Sequence, residues 1–99
     1  MKGRETKLKE KVLADLKGMG AWAEKIQQVG KVGTPDILAC INGRFIALEL
    51  KADDKEKPSR AQVLKLRKIA LAGGYAAIVT PENWPLVKKE IASLASARA

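Results

Sequence analysis

The sequence predicts a three-layer α/β fold in which helices cover both faces of one β-sheet. The first reason is the order of the elements: three helical segments alternate with four strand-like runs as α-β-β-β-α-β-α. The second reason is that the second and third strand-like runs are apolar at both odd and even positions, so both faces of the sheet should be buried. A sheet that is buried on both faces needs helices on both faces.

One helix and one strand are predicted in the first third of the chain. The helix should span residues 5–19, where apolar side chains recur at helical spacing and Gly18 and Gly20 mark the end. Its apolar stripe consists of Leu8, Val12, Leu13, Leu16 and Met19. A first strand is predicted over residues 21–29, and the glycines and the proline of residues 30–35 then predict a turn.

The next two strands are predicted over residues 36–41 and 44–51, on either side of Asn42-Gly43. This dipeptide favours a two-residue type I′ turn, because both central residues of that turn need a positive φ. A two-residue loop also fixes the register of a hairpin, so each step away from the turn pairs one residue with a defined residue of the other strand.

Asp36, Glu49 and Lys51 are the candidate metal-binding and catalytic residues. The hairpin register places Asp36 opposite Glu49, and side-chain alternation along a strand puts Lys51 on the same face as Glu49. Two carboxylates so placed repel each other unless a positive charge lies between them. Mg²⁺ fits this position, because it takes a few carboxylate oxygens and leaves positions open for water and a substrate phosphate. A surface salt bridge from Lys51 is the alternative; the proline-aspartate turn, the cross-strand pairing and the basic charge favour the metal site.

The second half of the chain should continue with a helix over residues 59–72, after a charged loop. Ser59 and Gln62 occupy the N-cap and N3 positions of a capping box. Gln62 also falls on the helix face that turns toward the sheet, so capping and a role in the site are compatible. A fourth strand over residues 75–80 and a C-terminal helix over residues 85–95 complete the order.

Glu5 is a further candidate for the site, because it lies on the apolar stripe of the first helix. Glu10 is turned about 200° away from Leu8 at about 100° per residue and should face water. An acid on a buried face needs a partner, which the metal site would supply. An N-terminal acid stabilised by the helix macrodipole is an equally good interpretation of Glu5.

The composition predicts a polyanionic partner, of which nucleic acid is the commonest. Nineteen Lys and Arg residues against eleven Asp and Glu residues give a net charge of +8. With one cysteine, Cys40, and no histidine, the chain cannot form an internal disulfide, a Cys/His zinc site or a His-based catalytic triad. Cys40 itself is expected to be a small buried hydrophobe.

DNA is expected to be bound through its phosphates. Two Trp, one Tyr and one Phe are too few for base stacking to dominate recognition, so contacts to the backbone with little sequence specificity are expected. The candidate DNA-binding residues are Lys25, Lys31, Arg44, Arg60, Lys65 and Lys68. A solvated basic face explains each of them individually, and the total charge favours phosphate contacts.

A chain of 99 residues is expected to form a single domain over residues 1–99. Neither an internal repeat nor a long linker divides it. Its first residues are charged, and we expect no signal peptide and no membrane span, which predicts a cytoplasmic protein.

Three motifs in order resemble those of the PD-(D/E)XK nuclease superfamily. They are Gly33-Thr34-Pro35-Asp36, Glu49-Leu50-Lys51, and Ser59 with Gln62. The sequence is most similar to the stand-alone VRR-NUC nucleases of phages and bacteria, over residues 5–80. The resemblance implies a restriction-endonuclease-like α-β-β-β-α-β core, which agrees with the order of elements above, followed by a C-terminal helix.

The resemblance also implies roles for individual residues. Asp36 and Glu49 would bind the metal together with the backbone carbonyl of Leu50. Lys51 would be the catalytic lysine. Gln62 would be a supporting active-site residue. Glu5 would be the acid of the first helix, with the nearby Glu10 as the other candidate for that role.

The activity that the resemblance implies is Mg²⁺-dependent hydrolysis of DNA phosphodiester bonds, with Mn²⁺ as a substitute. Stand-alone members are similar to Holliday-junction resolvases, so we expect a DNA-repair endonuclease, selective for branched DNA, in a bacterial or phage-infected cell. Two symmetric nicks need two sites related by a twofold axis, which predicts a homodimer or an assembly of dimers. Trp84, Leu86 and Val87 are candidate contacts between the subunits, and the alternative is that they belong to the hydrophobic core of each subunit. The alternatives are a less selective or flap-type nuclease and a non-catalytic basic DNA-binding module.

Overall fold

The structure, a computed structural model, describes residues 3–26 and 34–97. The elements are α1 (Arg4–Gly18), β1 (Trp22–Lys25), β2 (Ile37–Ile41), β3 (Arg44–Leu50), α2 (Arg60–Leu71), β4 (Tyr75–Val79) and α3 (Trp84–Ala97). This is the predicted order. The first strand is shorter than predicted, since Ile26 already lies outside it. The predicted continuation of that strand and most of the turn after it, including Lys31 and Gly33, lie outside the described residues.

The four strands form one sheet in the order β1-β2-β3-β4, with β1, β2 and β3 antiparallel and β4 parallel to β3. The predicted turn and register of the β2–β3 hairpin are confirmed. Asn42 and Gly43 have φ values of 53° and 84°, as a type I′ turn requires. The pairing runs from the turn-flanking pair Ile41 and Arg44 to the pair Ile37 and Leu48, one residue before Asp36.

Helices α1 and α3 cover one face of the sheet and form the main core with it. The predicted stripe of α1 is buried at Leu8, Val12 and Leu16, and it packs against the inward side chains of β2 and β3. Residues of this core with no more than 1% exposure are Val12, Leu16, Ile37, Ala39, Ile46, Leu48, Leu50, Val79 and Ile91. This face of the sheet is therefore closed from one end to the other.

The opposite face is covered by α2 over β3 and β4. The expectation that β2 and β3 are buried on both faces is wrong near the hairpin turn. A helix about 10 Å wide covers about two strands spaced about 4.8 Å apart, so the first two strands stay open on this side. Cys40 is exposed there instead of buried, and Trp22 and Phe45, its cross-strand partners, are 61% and 46% exposed.

The carboxy-terminal helix buries one face against the core, at Trp84, Val87 and Ile91. Trp84 and Val87, two of the three predicted contacts between subunits, are 3% and 6% exposed and belong to the core. Leu86, the third, is 61% exposed. In the part of the chain that the structure describes, no helix combines the length and the apolar character needed to cross a membrane.

Candidate active site

One edge of the sheet, where β2 begins and β3 ends, brings together most of the predicted site residues. Asp36 directly precedes β2, Glu49 is the second-last residue of β3, and Lys51 directly follows that strand. Glu5 and Gln62 lie in the first turns of α1 and α2. Side chains from four separate segments thus converge on this edge.

The carboxylate of Asp36 is held by the backbone of the neighbouring strand. Its Oδ2 atom accepts a hydrogen bond of 2.7 Å from the backbone N–H of Leu50. The backbone N–H of Asp36 donates to the carbonyl of Leu48 at 3.0 Å, the residue that pairs with Ile37, so Asp36 is tied to β3 just beyond the last regular pair of the hairpin. The carbonyl of Asp36 accepts from the N–H of Ile26 at 2.7 Å, so the residue that follows β1 fixes Asp36 from the other side.

Glu49 is the most constrained charged group of the site, with 3% of its surface exposed. Its Oε2 atom accepts a hydrogen bond of 2.6 Å from Gln62 Nε2 and lies 3.6 Å from Lys51 Nζ. Its Oε1 atom is buried and has no hydrogen-bond partner among the described residues. Burial and the charge of Asp36 raise the pKa of Glu49 to about 7, against the opposing effect of Lys51.

Lys51 does pair with Glu49, but this ion pair is not the surface salt bridge that the sequence left as an alternative. The two side chains are 11% and 4% exposed. The backbone N–H of Lys51 donates to the carbonyl of Val79 at 2.8 Å, which anchors the residue to the end of β4. One ammonium group next to two carboxylates leaves a net negative charge, in agreement with the raised pKa of Glu49.

Gln62 links the beginning of α2 to the site. The predicted capping box is present: Ser59 Oγ accepts from the Gln62 N–H at 3.1 Å, and Gln62 Oε1 accepts from the Ser59 N–H at 2.8 Å. The remaining amide hydrogens of Gln62 are then free to donate to Glu49. The side chain of Gln62 thus both caps α2 and donates a hydrogen bond to Glu49.

Of the two acids proposed for the first helix, Glu5 is the one that faces the site. Burial and the negative charge of Asp36 raise the pKa of Glu5, and the positive charge of Lys51 lowers it. Glu10 is exposed and lines a different groove, between α1 and the end of β1. The choice between them was open in the sequence because both lie within two turns of the N-terminus.

The predicted DNA-binding residues do not form one surface. Lys25, which pairs with Ile37 at the end of β1, and Arg60, the first residue of α2, lie at the edge that carries the site. Lys65 and Lys68 lie farther along α2. Arg44 is at the opposite end of the sheet, about 16 Å from Glu49 at about 3.3 Å per strand residue.

The sequence reasoning did not single out a second group of basic side chains, which lies between α1 and α3. They are Arg4, Lys7, Lys11, Lys88 and Lys89. The spacing of the first three, at intervals of three and four residues, indicated one face of a helix and was the available signal.

The donor set fits a hard divalent cation. Within residues 3–26 and 34–97, no group of three or more His, Cys, Asp or Glu side chains is arranged as a metal site. Two carboxylates and a backbone carbonyl are nevertheless the oxygen donors that Mg²⁺ takes while keeping several water molecules. The buried and unpaired Oε1 of Glu49 is the specific observation that a cation here would satisfy.

Comparison with known proteins identifies the fold. A solved VRR_NUC domain superposes with a TM-score of 0.77 and 22% sequence identity, over 91% of this chain and 96% of that chain. Hjc, a Holliday junction resolvase from the archaeal hyperthermophile Archaeoglobus fulgidus, superposes with a TM-score of 0.58 and 25% identity, over 77% of this chain and 69% of that chain. No protein-family model and no curated protein sequence matches. The resemblance drawn from the motifs is therefore confirmed at the level of the fold: the chain has the restriction-endonuclease-like fold of the PD-(D/E)XK nuclease superfamily.

Proposed function

We propose that this chain is a Mg²⁺-dependent DNA endonuclease that hydrolyses phosphodiester bonds. The observation that carries the proposal is the buried, unpaired carboxylate oxygen of Glu49 beside Asp36. Leaving a buried polar atom unpaired costs about 1–3 kcal/mol, and a bound cation at Glu49 would remove that cost. The order of the motifs, the fold of the two solved neighbours and the net charge of +8 support the same conclusion.

The proposed roles follow from the contacts. Asp36 and Glu49 would hold Mg²⁺ or Mn²⁺ together with the carbonyl of Leu50, and the cation would supply charge stabilisation for the phosphate and activation of a water molecule. Lys51 lies beside these acids and would stabilise negative charge that develops on the phosphate. Gln62 would keep the Glu49 carboxylate in its orientation.

The proposed substrate is branched DNA such as a Holliday junction. One of the neighbours in fold is described as a Holliday junction resolvase, and the excess of positive charge suits a partner that presents several phosphate backbones at once. A flap-type or less selective nuclease has the same site chemistry and differs only in the DNA that it prefers. The non-catalytic alternative is a basic module that binds DNA without a metal. In such a module the carboxylates of Asp36 and Glu49 would repel the DNA phosphates, which argues against it.

The proposed assembly is a homodimer, because paired nicks in a junction need two sites. The exposed apolar row of Trp22, Cys40 and Phe45 on the open sheet face is the contact that we propose in place of the buried Trp84 and Val87. Light scattering should give twice the chain mass of 10.7 kDa, and the double variant Trp22→Ser/Phe45→Ser should give the monomer mass. A monomeric wild type that still cuts both strands symmetrically would contradict this assembly.

One panel of labelled DNA tests the activity. Four-way junction, flap, splayed arm and duplex are incubated with the protein in Mg²⁺, Mn²⁺, Ca²⁺ or EDTA. We expect cleavage of the junction in Mg²⁺ and Mn²⁺, binding without turnover in Ca²⁺, and no cleavage in EDTA. Binding without cleavage under every condition would support the non-catalytic module, and cleavage of all four substrates at equal rates would support the unselective nuclease.

A further inference from the structure

A groove runs between α1 and α3 on the outer surface, away from α2. It consists of two adjoining depressions of about 360 and 410 Å³ that share Lys11, Trp84 and Pro85. Trp84 and Pro85 form an apolar floor, and the rims carry cationic side chains from both helices. These cations, which define the α1–α3 groove, are Arg4, Lys7, Lys11, Lys88 and Lys89.

The cations of the groove outnumber the acids around it, and Arg4 pairs with Asp53 at 3.7 Å and with Glu82 at 3.6 Å. Asp15 is the one acid that lines it, and it is already shared between Lys11 at 3.2 Å and Lys88 at 3.6 Å. Lys7 and Lys89 form no ion pair in the described part of the chain. Like charges held this close on two helices repel each other, so an anionic ligand would stabilise the arrangement.

The groove begins at the edge that carries the candidate active site. Arg4 and Glu5 are consecutive, and Glu5 is influenced electrostatically by Asp36. The guanidinium of Arg4 lies 3.7 Å from the carboxylate of Asp53, in the loop that follows Lys51. A strand that leaves the site would therefore meet Arg4 first and the other cations of α1 next.

The spacing of the cations suits a DNA backbone. From Arg4 to Lys11 the helix rises about 10 Å at about 1.5 Å per residue, so the cations of α1 can reach more than one phosphate of a strand that lies along the groove. The apolar floor suits the carbon-rich face of deoxyribose, while the lysines reach the phosphates. A small anion alone would use the cations and leave the floor uncovered.

We propose that the α1–α3 groove binds the sugar-phosphate backbone of a DNA arm next to the cleaved bond. This inference rests on the proposed nuclease function. It places a row of phosphate-binding side chains, a phosphate track, on α1 and α3. This track is separate from the α2 residues Lys65 and Lys68, which the sequence suggested as DNA-binding. The two tracks flank the active site from opposite faces of the sheet, as two diverging arms of a branched substrate would require.

The test measures binding in EDTA, where cleavage does not interfere. The affinity for a labelled four-way junction is measured by fluorescence anisotropy between about 50 and 200 mM KCl. Each lost phosphate contact should reduce the slope of log affinity against log salt by about 0.9. Lys7→Gln/Lys89→Gln should therefore reduce the slope by about 2 and leave the thermal unfolding transition unchanged.

A matched control comes from the same helix. Lys17 is exposed like Lys7 but faces a different groove, so Lys17→Gln removes the same charge and should leave the slope unchanged, whereas Lys7→Gln should reduce it by about 1. Lys65→Gln/Lys68→Gln tests the track on α2 separately. An unchanged slope for Lys7→Gln/Lys89→Gln, or equal losses for Lys7→Gln and Lys17→Gln, would overturn the proposal. A wild type that binds DNA but never cleaves it would instead contradict the nuclease function. The salt dependence of binding could still be compared between the variants, because it is measured without cleavage.

Discussion

Asp15 on α1 and Glu49 on β3 are both largely withdrawn from solvent, with side chains that are 15% and 4% exposed. Asp15 accepts a hydrogen bond of 2.8 Å from Trp84 Nε1 and has Lys11 and Lys88 within ion-pair distance. The hydrogen bond from Trp84 is the main reason that the pKa of Asp15 is lowered. Glu49 keeps one oxygen unpaired, and burial raises its pKa to about 7.

The difference separates an acid that holds the fold together from one that is available for chemistry. Asp15 joins two helices and has partners for its charge, so its removal should cost stability. Gln62 and Lys51 satisfy only one carboxylate oxygen of Glu49, and its raised pKa shows that they do not fully offset its burial, which is a common condition of a functional group. The predictions below test this distinction with one variant on each side.

The largest effect is expected from Glu49→Gln. The amide keeps the size of the side chain but removes a charged oxygen from the candidate metal site, so cleavage of a labelled junction in Mg²⁺ should fall by at least about 10²-fold. DNA binding should remain or become tighter, because a negative charge near the phosphates is lost. The free energy of unfolding should change little, because relief of the repulsion from Asp36 opposes the loss of the ion pair with Lys51.

Asp36→Asn should reproduce the loss of cleavage, and Asp54→Asn, at an exposed acid of the following loop, is the control that should cleave like the wild type. Wild-type cleavage by Glu49→Gln would mean that the active site lies elsewhere in the molecule.

The second largest effect is expected from Asp15→Ala, and it should appear in stability alone. The Nε1–H of the buried Trp84 would lose its acceptor, which costs about 1–3 kcal/mol in the free energy of unfolding. Urea unfolding followed by circular dichroism measures this change. At saturating DNA, cleavage by the folded variant should equal that of the wild type, whereas a loss of cleavage without a loss of stability would reverse the roles assigned to the two acids.

The same comparison shows what the sequence could and could not predict. The register of the hairpin up to Ile37 and Leu48 was predictable, because Asn42-Gly43 fixes the turn locally, and this register brings Asp36 close to Glu49. The bond between Asp15 and Trp84 joins residues 69 positions apart, and no local pattern encodes such a contact. Cys40 was expected to be buried because its strand is apolar on both faces, but its exposure depends on how far α2 extends over the sheet.

The burial of the site residues also could not be predicted from local sequence patterns. The sequence suggested that Lys51 and the acids converge, but their low exposure arises only when α2 packs over the ends of β3 and β4. The orientation of Gln62 was predictable because the capping box fixes the first turn of the helix. Local rules thus gave the identity and facing of the residues, and tertiary packing set their electrostatics.

A smaller effect on cleavage is expected from Gln62→Ala. The variant removes the hydrogen bond of 2.6 Å to Glu49 and half of the capping box, so a second oxygen of that carboxylate loses its donor. We expect the rate to fall about tenfold, which corresponds to about 1.4 kcal/mol. Ser59→Ala is the matched control, because it weakens the same cap by about 1 kcal/mol without touching Glu49. Equal losses of activity in the two variants would mean that Gln62 acts only as a cap.

The smallest effect is a pH dependence of stability that should belong to Asp15. Its pKa is lowered in the folded protein from the ordinary value of 3.8, chiefly by the hydrogen bond from Trp84. The folded state therefore favours the ionised form, and the resulting stability is complete above the ordinary pKa and is lost as the pH falls through the folded pKa. Asp15→Asn, which keeps an acceptor for Trp84 but not the charge, should be less stable than the wild type near neutral pH by up to about 1 kcal/mol.

This difference should shrink as the pH falls below 3.8, because protonation removes the same charge from the wild type. Urea unfolding of both proteins across this range measures it, with Asp54→Asn, at an exposed carboxylate, as the control. A difference that stayed constant down to pH 3 would show that the side chain acts through hydrogen bonding alone. The lysines of the α1–α3 groove would then gain little from Asp15, and their positive charge would be more available to an anionic ligand than the folded contacts suggest.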